Sequence, residues 1–142
     1  MKDPKKIIVE IPVRFRDIDS MGHVNNAVFF TYFEEGRKAF LYELFGIVEP
    51  SEYNFILARI GCEFLRPVTL GNTIRLEIWI GETGGKSFTL KYRIVDRETP
   101  SVVYAKGQSV QVFYDYKSNR TRPLPEDFLE TIAPYTEKPP GV

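Results

Sequence analysis

Hydrophobic and polar positions alternate through most of the chain, with one interruption. Residues 7–15 place Ile7, Val9, Ile11, Val13 and Phe15 on one face and Glu10, Pro12 and Arg14 on the other, a strand pattern. Pro12 cannot donate to a ladder, so this strand is expected at an edge or bulged. The period then becomes helical. Phe29, Phe30, Phe33, Arg37, Phe40, Leu41 and Leu44 recur at spacings of three and four, which predicts a helix over Asn26–Phe45. Asn25 suits its N-cap and Gly46 the left-handed residue after its end. Alternation returns in four further runs. These are Ile56–Phe64, Ile74–Ile80, Phe88–Ile94 and about Val102–Tyr114. In the last run Val103, Ala105, Gly107 and Ser109 are small enough for a helix to approach. Turn formers separate the runs at 67–72, 84–85 and 98–101. A short helix is expected near Glu126–Ala133, followed by a frayed tail from about residue 134.

One long helix with a broad apolar stripe needs a large apolar partner, and five strands joined by short turns supply one. The expected fold is α+β: a five-stranded antiparallel sheet wrapped around one central helix. The 142 residues make one domain, with no repeat and no linker.

Charge and composition narrow the chemistry. Nineteen basic and nineteen acidic residues balance, which argues against a chain-wide electrostatic grip on nucleic acid. One cysteine, Cys62, excludes an internal disulfide, and its alternation with apolar residues marks it as a core thiol. One histidine, His23, excludes a zinc site built on several histidines, so no metal site is expected. No apolar run approaches the roughly 20 residues of a membrane span. The N-terminus lacks the apolar stretch of a signal peptide, and a cytoplasmic location is the expectation.

Polar chemistry concentrates in the loop before the long helix, Asp17-Ile18-Asp19-Ser20-Met21-Gly22-His23-Val24-Asn25-Asn26. A helix start offers unpaired N–H groups and a partial positive charge, suited to a carbonyl oxygen becoming an oxyanion. A carboxylate a few residues upstream can act there as base to a water, or attack directly. The same residues also read as an Asx turn followed by a helix cap. A second stretch, Gly81-Glu82-Thr83-Gly84-Gly85-Lys86-Ser87, superficially suggests a phosphate-binding loop. Only three residues separate Gly81 from Gly85, where that motif needs four, and Ser87 opens a strand rather than a helix. It reads as a hairpin turn, whose Lys86 and Ser87 could meet an anion at the sheet edge.

The stretch Val13-Arg14-Phe15-Arg16-Asp17-Ile18-Asp19-Ser20-Met21-Gly22-His23-Val24-Asn25-Asn26, then Phe29-Phe30-Thr31-Tyr32-Phe33-Glu34 and Arg37, resembles the signature of the 4-hydroxybenzoyl-CoA thioesterase family. Phe64-Leu65-Arg66-Pro67-Val68, Gly71-Asn72 and Lys86-Ser87-Phe88 continue the likeness, which spans about Ile7 to Tyr114. The resemblance implies the hotdog fold, in agreement with the element order. It implies that Asp19 is the catalytic carboxylate, as general base or nucleophile, and that Asp17 is structural. The helix start, from Val24 through Asn25 to Asn26, would polarise the thioester carbonyl. Gly22 would allow a close turn, and His23 would line the pocket; one branch of the family has this histidine and another lacks it. Lys86 and Ser87 would touch the CoA moiety, although Gly84 and Gly85 stand where some relatives carry arginines.

The implied activity is acyl-CoA thioester hydrolysis without a cofactor, CoA being part of the substrate. The implied assembly is a homodimer paired sheet edge to sheet edge, and a tetramer built from two such dimers, with no membrane insertion. The alternatives are a non-hydrolytic hotdog protein that binds acyl-CoA or acyl carrier protein, and a hotdog dehydratase using His23.

Overall fold

The computed structural model describes residues 3–137. Strand β1 (Ile7–Ile11) precedes the long helix α1 (Asn26–Phe45). Four strands follow: β2 (Phe55–Phe64), β3 (Ile74–Thr83), β4 (Ser87–Asp96) and β5 (Val103–Asp115). A two-residue strand β6 (Arg120–Thr121) and a short helix α2 (Glu126–Ile132) come next. The main sheet runs β1-β3-β4-β5-β2 with every neighbour antiparallel, and β6 pairs with the end of β5.

The sheet curls around α1. Leu76, Ile78 and Ile80 of β3 and Phe88, Leu90 and Ile94 of β4 are buried on its concave face beneath Phe33, Phe40 and Leu41 of the helix. The small positions of β5 serve the approach foreseen in the sequence. A Cβ at Gly107 would lie 2.5 Å from the Phe33 ring, so only glycine lets that ring lie flat on the strand. Phe33 in turn stacks on Tyr92 at 4.4 Å. Such pairs add about 0.5–1.5 kcal/mol beyond their buried area.

Three details depart from the sequence pattern. β1 stops at Ile11 instead of continuing to Phe15. Pro12 follows at once, and residues 15–17 turn into a single 3-10 turn with Phe15 exposed. Cys62 is half-buried on β2, not sealed in the core. The chain also packs on the sheet at residues 136–137. Thr136 bridges Ile80 in parallel, and Glu137 takes the Trp79 indole N–H at 2.9 Å and the Lys91 ammonium at 3.1 Å. The remainder of the expected frayed tail lies outside the described residues. Among the described residues no helix is long and apolar enough to cross a membrane.

Candidate active site

The loop before α1 is a closed turn. Ile18 bridges Val24, the Asp19 N–H donates to the His23 carbonyl at 2.9 Å, and the Gly22 N–H donates to the Asp19 carbonyl at 3.0 Å. Gly22 has φ +82°, a left-handed conformation that glycine adopts without steric cost.

The two carboxylates of this loop do different work. Asp17 accepts the Arg14 N–H at 2.9 Å and the Tyr32 hydroxyl at 2.8 Å, which ties the loop to the first turns of α1. Burial and the Asp17 charge push the Tyr32 phenol well above its ordinary value. Asp19 uses only one oxygen, Oδ1, to hold the Met21 N–H at 2.9 Å in an Asx turn. Its Oδ2 accepts nothing among the described residues. The turn reading and the chemical reading of Asp19 are therefore compatible: the turn fixes the carboxylate and leaves one oxygen available.

The helix start is equally divided. The Val24 N–H donates to the Val68 carbonyl at 2.8 Å, and the Asn25 N–H donates to the Asp17 carbonyl at 2.9 Å. The Asn25 side chain caps the helix by accepting the Ala27 N–H at 2.9 Å. Val24 is buried, whereas Asn25 is exposed. Of the three, only the Asn26 N–H has no partner among the described residues, so a ligand oxygen at the helix start would meet it there.

Asp19, His23, Val24 and Asn26 line a cavity of about 300 Å³ together with the apolar side chains of Phe29 and Phe64. Phe29 meets Phe64 edge to face at 5.2 Å. His23 is half-buried, and its ring makes no hydrogen bond among the described residues. Arg66, just beyond the end of β2, brings a cation to the rim. Phe64 and Arg66 belong to the stretch whose pattern resembled the family, yet nothing in their local sequence announced a wall.

Lys86 and Ser87 lie elsewhere. β3 and β4 form a hairpin around Gly84–Lys86, so the glycines belong to a turn, as their spacing indicated. Ser87 stands opposite Val112 of β5, whereas Phe64 stands opposite Ala105. Seven residues of strand, about 23 Å, separate those two registers. Lys86 donates to the Thr121 hydroxyl at 3.3 Å. A single chain thus gathers Asp19, Gly22, His23, Val24, Asn25 and Asn26 at one end of the sheet and leaves Lys86 and Ser87 near the other.

Cys62 donates to the Glu63 carbonyl at 3.6 Å, and burial pushes its thiol up to about 11. That is the opposite of what an activated nucleophile needs. Among the described residues no group of three His, Cys, Asp or Glu side chains could hold a metal ion.

The model of the thioesterase-like superfamily matches residues 13–132. The chain belongs to that superfamily. A thioesterase from Thermus thermophilus, solved in complex with coenzyme A and Zn, is 33% identical with a TM-score of 0.76, covering 88% of this chain and 95% of its own. A predicted thioesterase from Bacillus stearothermophilus superposes more closely, TM-score 0.86 over 95% of this chain and 99% of its own. At 23% identity that likeness speaks for the fold alone. The uncharacterized protein YsmA of Bacillus subtilis is 32% identical over 83 residues, a match to 58% of this chain and 56% of YsmA. This thioesterase-like chain therefore has the hotdog fold, and thioester hydrolysis is the activity of its superfamily.

Proposed function

We propose that the protein is an acyl-CoA thioesterase in which Asp19 activates water. The observation that carries this reading is the pairing of the unused Asp19 Oδ2 with the unused Asn26 N–H on one small, partly apolar cavity. A thioester carbonyl directed at the Asn26 N–H would be polarised there, and an oxyanion formed on it would gain from the helix start. Asp19 would take a proton from a water as its oxygen bonds to the carbonyl carbon. The C–S bond then breaks, the carboxylic acid leaves, and the proton passes to the CoA sulfur. His23 shapes the cavity beside these groups. The apolar walls fit the acyl chain, and the CoA-bound relative from Thermus supports CoA as the thiol part of the substrate.

The active assembly in this reading is a dimer. Among the described residues β2 pairs with β5 on one side only, which leaves its other edge open. Its alternate residues Leu57, Arg59, Gly61 and Glu63 are exposed. A two-fold antiparallel pairing of β2 with a second copy sets the Phe55 end of one strand beside the Phe64 end of the other. Lys86 lies at the Phe55 end, because its carbonyl accepts the Phe113 N–H and Phe113 faces Phe55. The second copy's Lys86 and Ser87 then come to the end that holds Asp19. Such a cleft unites the two halves that one protomer keeps apart. A thiol-release screen over short, long and aromatic acyl-CoA esters tests the activity; release from at least one class supports it, and silence on all of them contradicts it.

A further inference from the structure

The cavity that holds Asp19 and Asn26 is also lined by a residue the chemistry above does not use, Arg66. The segment that carries it is pinned on both sides. The N–H groups of Leu65 and Arg66 both donate to the Tyr104 carbonyl, at 2.9 and 3.1 Å. Two residues on, the Val68 carbonyl accepts the Val24 N–H at 2.8 Å. Pro67 restricts the backbone between those anchors, and Val68 is buried. Backbone bonds to β5 and to the loop of Asp19 therefore set Arg66 at this cavity.

The side chain of Arg66 is not engaged elsewhere. It has no ion pair and no hydrogen bond among the described residues. Of the residues that line the cavity, it carries the one permanent positive charge. Its guanidinium keeps five donors for a ligand.

A thioester bound across Asp19 and Asn26 has two arms. The acyl arm is apolar and suits Phe29 and Phe64. The thiol arm of CoA is pantetheine, which carries amides and ends in phosphates. Length decides which of these groups a residue of the cavity meets. A sphere of the cavity's volume is about 8 Å across. The first amide carbonyl of pantetheine is five bonds from the thioester carbon, about 6 Å away, and the nearest phosphate is more than twice as far. The amide falls within the span of the cavity and the phosphates fall outside it. A carbonyl oxygen that accepts from a charged donor forms a stronger bond than a neutral pair does.

We propose that Arg66 is a specificity-determining residue that donates to the first amide carbonyl of the pantetheine arm. The preferred substrates are then thioesters of pantetheine-type thiols, selected by that amide. This rests on the acyl-CoA thioesterase reading.

The test uses two small thioesters of the acyl group best hydrolysed in the CoA screen. One is the N-acetylcysteamine thioester, which keeps the first amide. The other is the S-pentyl thioester, which has the same chain length without it. The ratio of their kcat/KM values is expected to fall by about ten-fold or more from the wild type to Arg66→Met. On the matching CoA ester Arg66→Met should raise KM and leave kcat nearly unchanged. An equal loss on both small thioesters, as from a cation acting on the oxyanion, overturns the proposal. A loss on the CoA ester alone, as from a phosphate contact, also overturns it. If Arg66→Met does not fold, Arg66→Ala is read in its place. If the wild type hydrolyses no thioester, the thioesterase reading fails separately, and the melting temperature with millimolar pantetheine decides this one. A rise in the wild type that is lost in the variant supports the proposal; equal rises, or none in the wild type, overturn it.

Discussion

The Tyr32 hydroxyl donates to Asp17 Oδ2 across 2.8 Å, joining α1 to the loop that carries Asp19. The two residues are fifteen positions apart, and their bond separates the roles of two neighbouring carboxylates. Asp17 is held by the Tyr32 hydroxyl and the Arg14 N–H, and it braces the turn in which Asp19 keeps one oxygen free.

Tyr32→Phe removes that brace while keeping the ring. The Arg14 N–H still satisfies part of the Asp17 carboxylate, so the loss is expected to be about 1–2 kcal/mol. Urea unfolding of the purified variant reads it directly, and an unchanged midpoint would mean that the bond does not stabilise the loop.

Stability is expected to decline in alkali. The Cys62 thiol is raised from 9.0 to about 11 by burial and by the Glu63 charge, and the Tyr32 phenol is raised in the same direction. For both groups the folded state holds its proton after the unfolded chain has lost it. Their stabilising share is therefore complete below the ordinary value and disappears as pH climbs through the raised one. For Cys62 the window is pH 9 to 11. Denaturant midpoints measured across that window should fall with pH, and Cys62→Ser should flatten the slope.

Gly107→Ala is expected to cost about 1–3 kcal/mol, because its methyl group would press on the Phe33 ring and on the Gly61 carbonyl. Thermal unfolding checks it. A neutral result would mean that α1 can lift from β5 without penalty.

Much of this arrangement could be read in the chain. Asn25 and Gly46 bound α1 as capping chemistry requires, with Gly46 at φ +66°. The run of small residues on β5 announced the helix above it, and the Gly84–Gly85 spacing announced a hairpin. What could not be read depends on contacts between distant segments. The end of β1 turns on whether Pro12 meets a ladder. The docking of residues 136–137 depends on Ile80, Trp79 and Lys91, more than forty positions earlier. The distance between Lys86 and Asp19 follows from strand register, which no local motif encodes. Val24 and Asn25 looked like a donor surface, but their N–H groups are taken by Val68 and Asp17 carbonyls.

The role of Asp19 is tested most directly by Asp19→Asn. Asparagine keeps a side-chain oxygen for the Met21 N–H, so the Asx turn and the melting temperature should persist. CoA release from the best acyl-CoA substrate of the wild type should fall by about 100-fold or more, as expected when a general base is removed. A folded variant that releases CoA at nearly the wild-type rate would contradict the assignment.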